Sequence, residues 1–107
     1  QIRVDVATSR GSAKGKLLSE GVMKAGRRHG TFTEYWPEKG KPRRVIPYVH
    51  GRVAGVVREY YQTGALKREQ PFEDNALEGI ERQYDPEGHV VRTLRWKDGK
   101  LLGESDG

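Results

Sequence analysis

The chain repeats itself every 24 or 25 residues. Each unit begins with a glycine, and the three clear copies begin at Gly30, Gly55 and Gly79. A tyrosine follows five residues after each of these glycines, then a second glycine, and then an aromatic residue eight positions further on. Periods of roughly 20 to 50 residues are typical of repeat architectures, in which each unit packs only against its neighbours. The sequence therefore predicts a linear stack of similar units instead of one globular core.

The repeat divides the chain into units within one domain. We predict a single repeat domain over 1–107, with units at 6–29, 30–54, 55–78 and 79–102 and a tail at 103–107. The extra residue of the 30–54 unit falls between Tyr35 and Gly40, where a turn can absorb it. The 6–29 unit is degenerate, because it lacks the tyrosine and has Met23 at the aromatic position.

The second glycine of each unit predicts a hairpin loop. Three-residue loops are expected at 38–40, 62–64 and 86–88. Each fits a type I turn followed by a bulge residue of positive φ, which glycine adopts without a Cβ clash. Alternate turns are expected at 49–51, 73–75 and 97–99. Asn75 replaces glycine in one of them, and asparagine tolerates the left-handed region.

The segments between turns are eight to ten residues long and predict strands. They are rich in β-branched and aromatic residues, with arginines alternating with apolar residues. The predicted fold class is all-β: an elongated single-layer antiparallel sheet of tandem β-hairpins. Two interpretations stay open for Gly55, Gly79 and Gly103: a bulge that switches faces, or a glycine that lets an aromatic ring lie on the backbone.

Composition excludes several classes of protein. Leu, Ile, Val and Phe together lie near the roughly 20% below which chains tend to stay disordered, so a thick core is not expected. No apolar run approaches the roughly 18 residues of a membrane helix. The absence of cysteine excludes disulfides, Cys-ligated zinc and thiol catalysis, and fits periplasm and cytoplasm equally. The chain begins at Gln1 without a basic and apolar leader, so we expect a processed form or a fragment.

Candidate catalytic and ligand-binding motifs do not assemble into a site. The segment 11–16 is one residue short of a phosphate loop, and Leu17 stands where a serine or threonine is needed. His29, His50 and His89 occupy three different repeat positions, which indicates turn histidines and not metal ligands. The acidic pairs fall in predicted hairpin loops. We therefore predict no enzymatic activity, no cofactor and no metal.

Arginines recur in register with the repeat. Arg44, Arg68 and Arg92 each lie four residues after the loop glycine, and Arg58 and Arg82 each lie three residues after the first glycine. We expect these arginines and the aromatic residues to share one face of the sheet. Because arginine and aromatic side chains are the usual anchors of interfaces, they are the predicted partner-binding residues: Arg44, Arg58, Tyr60, Arg68, Phe72, Arg82, Tyr84, Arg92 and Trp96. Alternatively, the arginine stems only cover the rings.

The net charge of +5 leaves the partner class open. Acidic residues such as Glu59 and Glu69 alternate with the arginines, so the field is mixed and nucleic acid is not favoured. An anionic membrane surface stays a candidate. The basic clusters at 27–29 and 41–44 are expected to be solvated turns and strand ends.

Two segments resemble MORN repeats: Gly-Val-Val-Arg-Glu-Tyr-Tyr-Gln-Thr-Gly-Ala-Leu-Lys-Arg-Glu at 55–69 and Gly-Ile-Glu-Arg-Gln-Tyr-Asp-Pro-Glu-Gly-His-Val-Val-Arg at 79–92. They are more narrowly similar to the bacterial variant with Tyr-Tyr-x-x-Gly-x-Leu-x-x-Glu. The resemblance covers 30–103 and, weakly, 6–29. It implies an interaction module without chemistry of its own, since many bacterial members are labelled antitoxin-like or immunity proteins and eukaryotic members are linked with membranes and scaffolding. We therefore expect a non-catalytic protein-binding module that inhibits a cognate bacterial protein such as a toxin. A membrane-surface or scaffold module is the alternative.

Overall fold

The chain folds into one antiparallel sheet. The computed structural model describes residues 6–13, 16–37 and 40–107. Its strands are β1 (Val6–Ala13), β2 (Lys16–Lys24), β3 (Arg27–Arg28), β4 (Gly30–Tyr35), β5 (Pro42–Val49), β6 (Arg52–Val53), β7 (Gly55–Tyr60), β8 (Leu66–Glu73), β9 (Ala76–Leu77), β10 (Gly79–Tyr84), β11 (Val90–Lys97) and β12 (Lys100–Asp106). The path across the sheet is β1-β2-β4-β5-β7-β8-β10-β11-β12, with β3, β6 and β9 paired beside β2, β5 and β8.

The predicted fold class is confirmed. The molecule measures 52 × 33 × 18 Å, which is long and thin. The long strands lie in the sheet in the order of the sequence, and each pairs with the next one. No helix in the described part of the chain is long and apolar enough to cross a membrane.

The three-residue loops form as the glycine pattern predicts. The Gly64 N–H donates to the Tyr61 carbonyl at 2.9 Å, and Gly64 has a φ of 100°. The loop that ends at Gly88 repeats this pattern, with a φ of 94°. The first loop is closed by the Trp36 N–H donating to Lys41, so it is one residue longer; residues 38 and 39 of the predicted 38–40 loop lie outside the described residues.

Each of these hairpins also carries a second bulge, which the sequence analysis did not predict. The register shifts between Glu59 and Tyr60, which leaves Lys67 without an opposite residue. The same shift leaves Arg43 unpaired in the preceding hairpin and Val91 unpaired in the following one. Because a bulge re-aims the side chain at the extra position, one such side chain emerges per repeat.

The alternate turns are tight two-residue turns that also join neighbouring repeats. Both central residues have positive φ in each of them, as in a type I′ turn: 25–26, 50–51, 74–75 and 98–99. The Asn75 N–H donates to the Val53 carbonyl at 2.9 Å, and the Asn75 side-chain oxygen accepts the Val53 N–H at 2.7 Å. Equivalent backbone bonds run from Gly51 to Arg28 and from Gly99 to Leu77. The turns at 50–51, 74–75 and 98–99 therefore tie their hairpins to the short strand of the repeat before them.

The unit-starting glycines do not switch faces. Gly55, with a φ of 119°, lies opposite Phe72, while Glu59 four residues later lies opposite Arg68 on the same face. A Cβ at Gly55 would lie 3.0 Å from the Pro47 ring, so the glycine accommodates a proline. Gly79 repeats this arrangement with Pro71. The tail differs, because Gly103 continues β12 and the bulge there falls at Leu102.

One face of the sheet carries the buried side chains. These are Phe32, Ile46, Val57 and Leu94, together with the carboxylate of Glu81. The register places Phe32 opposite Ile46 and Glu81 opposite Leu94 on that face, because directly opposite residues share a face. We call it the core face, and the other side the outer face. The ring of Phe32 lies against the backbone of Gly21, where an added Cβ would approach within 2.4 Å.

Candidate interaction surfaces

The expected single face of arginines and aromatic residues is wrong. Arg44 lies opposite Glu59, whereas Arg58 lies opposite Val45 in the same strand pair. Since neighbouring residues of a strand point to opposite faces, Arg44 and Arg58 face opposite ways. Cross-strand register therefore divides the predicted set between the two faces. Arg44, Arg68, Phe72, Arg92 and Trp96 belong to the core face, whereas Arg58 and Arg82 belong to the outer face. Tyr60 and Tyr84 stand at register shifts, where alternation along the strand does not assign a face.

The core-face arginines lie in a row in which they alternate with acidic residues, except that Gln83 stands between Arg68 and Arg92. Consecutive members of the row are directly opposite one another across seven strands: Glu34, Arg44, Glu59, Arg68, Gln83, Arg92 and Asp106. Opposite charges at facing positions stabilise a strand pair by about 0.2–1 kcal/mol each. The row thus supports the sheet itself.

All three core-face arginines form ion pairs. Arg44 donates from Nε and Nη2 to the two Glu34 oxygens at 3.1 and 3.2 Å, and this hydrogen bonding raises the Arg44 pKa. Arg68 pairs with Glu59 in the next hairpin. Arg92 donates to Glu104 at 2.6 and 3.0 Å. These three arginines therefore do not form a free cationic stripe.

The outer face holds a second group around Glu69. Arg58 Nε donates to one Glu69 oxygen at 3.2 Å, and the Tyr84 hydroxyl donates to the other at 2.7 Å. The bond to Glu69 is the main cause of the raised Tyr84 pKa. Arg82 lies opposite Glu69 but makes no hydrogen bond or ion pair among the residues described. It is the one predicted arginine left unpaired.

An exposed patch adjoins Arg82 on the outer face. Ile80 precedes it by two residues and is 39% exposed, and Arg95 lies directly opposite Ile80. Arg95 likewise has no ion pair in the described part of the chain. We call Ile80, Arg82 and Arg95 the outer patch.

Cations other than the predicted arginines cover the aromatic rings. In the described ranges, the cation–ring contacts come from Arg28 over Phe32 and Tyr48, Arg43 over Trp36, and Lys67 over Tyr61. None involves the five predicted arginines. The rings of Phe72 and Trp96 instead lie opposite Gly55 and Gly79.

Glu81 is a buried carboxylate that the sequence analysis missed. It is 1% exposed, and its two oxygens accept hydrogen bonds from Trp96 Nε1 and Gln83 Nε2, each at 2.9 Å. Its repeat position is that of the buried Phe32 and Val57, two residues after the unit's first glycine. The signal in the sequence that could have identified the buried Glu81 is a charged residue at a repeat position that is otherwise apolar.

Two similar clefts lie side by side where the bulge residues emerge. Each has a volume of about 210 Å³. The first is lined by Trp36, Arg43, Arg44, Glu59, Tyr60 and Lys67. The second is lined by Glu59, Tyr61, Lys67, Arg68, Gln83, Tyr84 and Val91. The lining positions recur one repeat apart, so the two clefts form one groove across successive hairpins. We call it the bulge groove.

The bulge groove has a surplus of cations. Arg43 and Arg44 share the single carboxylate of Glu34, at 3.0 and 3.1 Å. Lys67 makes no ion pair among the described residues, and its Nζ lies 5.7 Å from the centre of the Tyr61 ring. The Trp36 and Arg43 side chains are stacked similarly, at 5.8 Å.

The groove also contains two buried donors without acceptors. The residues Trp36 and Arg68 line the first and the second cleft, and the buried atoms Trp36 Nε1 and Arg68 Nε find no hydrogen-bond partner in the described structure. A buried donor that lacks an acceptor costs about 1–3 kcal/mol. Each of these two buried donors therefore carries that cost in the folded chain.

The histidines do not form a metal site in the described ranges. The rings of His29 and His50 lie 5.4 Å apart, and His50 donates its N–H to His29 Nδ1 at 3.4 Å. His89 contacts Asp85 at 3.3 Å within a loop. No group of three potential metal ligands occurs among the described residues.

Two adjacent repeats of the chain match the model of a known family. Residues 54–74 and 77–98 match the MORN repeat variant. The resemblance noted from the sequence is confirmed for these two adjacent repeats, which contribute the second cleft of the bulge groove. A comparison with curated proteins gives no match.

A solved structure shares the fold at low sequence identity. It is described as the crystal structure of accessory secretory protein 1, 2 and 3 in Streptococcus pneumoniae, with a TM-score of 0.51 and 16% identity. The match covers 92% of this chain but 18% of that one. At this identity the likeness concerns the fold alone.

Proposed function

We propose that this chain is a non-catalytic protein-binding module that neutralises a cognate bacterial protein, such as a toxin or effector. Two adjacent MORN repeat variants support a binding module. The likeness to part of an accessory secretory protein structure supports the sheet fold of this module.

The bulge groove is the observation that carries this proposal. It combines aromatic rings and cations in an open channel, and such residues supply most of the binding energy at protein interfaces. Of the nine predicted partner-binding residues, Arg44, Tyr60, Arg68 and Tyr84 line it. Arg43 and Lys67 join this proposed set, because the bulges direct them into the groove.

The experiment compares two double variants that change the charge equally. Arg43→Ala with Lys67→Ala removes two positive charges from the groove, and Arg82→Ala with Arg95→Ala removes two from the outer patch. Each is co-expressed with a tagged product of a neighbouring gene, and co-purification and rescue of growth are measured. We expect the groove variant to lose both and the outer-patch variant to keep both. If the groove variant keeps co-purification and rescue of growth as fully as the outer-patch variant does, binding through the groove is refuted.

The outer patch favours a second candidate function, attachment to an anionic membrane surface. An exposed apolar side chain between two unpaired arginines is suited to the interface of an anionic bilayer, where each nearby cation contributes about 1 kcal/mol. Sedimentation with anionic vesicles tests it. Binding that is lost at high salt and in the Arg82→Ala, Arg95→Ala variant would support membrane attachment. No sedimentation at low salt would exclude it.

A further inference from the structure

We propose that the bulge groove binds an extended acidic segment of the partner protein, with acidic residues at every third position followed by an apolar residue. This inference rests on the proposed protein-binding function and specifies its ligand. The segment would have the pattern acidic-x-x-acidic-x-x-apolar, in either chain direction.

The spacing follows from the geometry of the repeat. Equivalent positions of successive hairpins are two strands apart, and adjacent strands are about 4.8 Å apart, so the bulge residues recur at roughly 9.6 Å. A polyproline II helix has three residues per turn and advances about 3.1 Å per residue, so every third side chain lies on the same side at a spacing of roughly 9 Å. A β-strand would instead point every third side chain to the opposite side. A polyproline II segment that crosses the strands therefore presents every third side chain to the same feature of each repeat.

The order of side chains follows from the identity of the bulge residues. The three positions are Arg43, Lys67 and Val91. Two cations in succession favour two acidic residues, and the third position is an apolar side chain that is 46% exposed. The matching ligand therefore changes from acidic to apolar at its third contact.

Charge and aromatic content both favour this occupant. Four cations line the two clefts, and only the carboxylates of Glu34 and Glu59 form ion pairs with any of them among the described residues: Arg43, Arg44, Lys67 and Arg68. The aromatic rings that line the groove suit polyproline II segments, which dock in aromatic-lined grooves without a large ordering cost.

Synthetic peptides test the spacing separately from the charge. The spaced peptides are Glu-Pro-Pro-Glu-Pro-Pro-Leu and its reversed sequence, and the clustered peptide Glu-Glu-Pro-Pro-Pro-Pro-Leu has the same composition. Binding to the full chain is measured by calorimetry, and circular dichroism melting verifies that each variant is folded. We expect one spaced peptide to bind about tenfold more tightly than the clustered one, because only a spaced peptide places both acidic residues at successive bulge positions. A tenfold difference corresponds to about 1.4 kcal/mol.

Variants of the chain then locate the bound peptide. Arg43→Ala with Lys67→Ala should weaken the spaced peptide about tenfold, and Val91→Ala should weaken it less. The matched Arg82→Ala, Arg95→Ala variant should bind it unchanged. Equal affinity for spaced and clustered peptides, or equal loss in both double variants, would overturn the inference in favour of net charge alone. No binding of any peptide by a chain that still captures its protein partner would overturn the ligand class and leave the proposed function standing.

Discussion

The buried carboxylate of Glu81 should be coupled energetically to the indole of Trp96. The perturbation is a double-mutant cycle with Trp96→Phe and Glu81→Val. Phenylalanine removes the N–H that donates to Glu81 Oε1 at 2.9 Å but keeps an aromatic ring. Valine is chosen because Val57 is buried at the equivalent position of the preceding repeat.

The expected magnitude follows from the burial of the pair. A hydrogen bond to a charged group contributes about 1.5–3 kcal/mol, and Glu81 is almost fully removed from water. Trp96→Phe alone should therefore lower the free energy of unfolding by about 2–3 kcal/mol. With Val at position 81 there is no carboxylate to satisfy, so the same change should cost under about 1 kcal/mol.

Urea unfolding of the four proteins measures the coupling energy. We expect about 1.5–2 kcal/mol, with unchanged dependence of the free energy on urea concentration. A control cycle pairs Glu81→Val with Tyr48→Phe, two repeats away, and should be additive within about 0.5 kcal/mol. If the Trp96 cycle is equally additive, the hydrogen bond does not stabilise the buried carboxylate and the reasoning is refuted.

Three further predictions concern the turns and the dependence of stability on pH. Asn75→Gly keeps the positive φ but loses the side-chain hydrogen bond to Val53, so the melting temperature should fall by an amount equivalent to about 1 kcal/mol. Asn75→Ala should lower the melting temperature further, because alanine is also strained at positive φ. Equal melting temperatures of the two variants would contradict a left-handed conformation at residue 75. The N–H of Asp98 holds the pKa of Glu78 below its usual value, so this stabilisation is present above about pH 4 and lost as the pH falls further. Glu78→Gln should flatten the acid loss of melting temperature, and an unchanged acid profile would count against it. The pKa of Tyr84 is raised, so its contribution is present below about pH 10 and lost above it; Tyr84→Phe should weaken the alkaline loss, and an identical alkaline profile would count against that.

The sheet could be predicted from the sequence because the residues that form its turns act locally. The positive φ of Gly64 and Gly88 and the left-handed Asn75 are set by turn chemistry within a few residues. Those turns recur at a fixed period, so the order of hairpins followed from the order of the repeats.

The faces could not be predicted in the same way, because they depend on pairing between strands. Alternation within a strand places Arg44 and Ile46 on the same face, but it does not show that Arg58 lies opposite Glu69 and not opposite Arg68. The groove was missed for a related reason. Lys67 reaches the groove because the register shifts between Glu59 and Tyr60, and no residue type in that hairpin predicts the shift.

The most direct test of partner binding through the bulge groove is quantitative co-purification of the cognate protein with three forms of the chain. These are the unmodified chain, the Arg43→Ala, Lys67→Ala variant and the Arg82→Ala, Arg95→Ala variant, all verified as folded. The two variants carry the same net charge, so a difference between them reports location and not charge. We predict full recovery with the unmodified chain and the outer-patch variant and loss with the groove variant. Loss with the outer-patch variant and recovery with the groove variant would contradict the account.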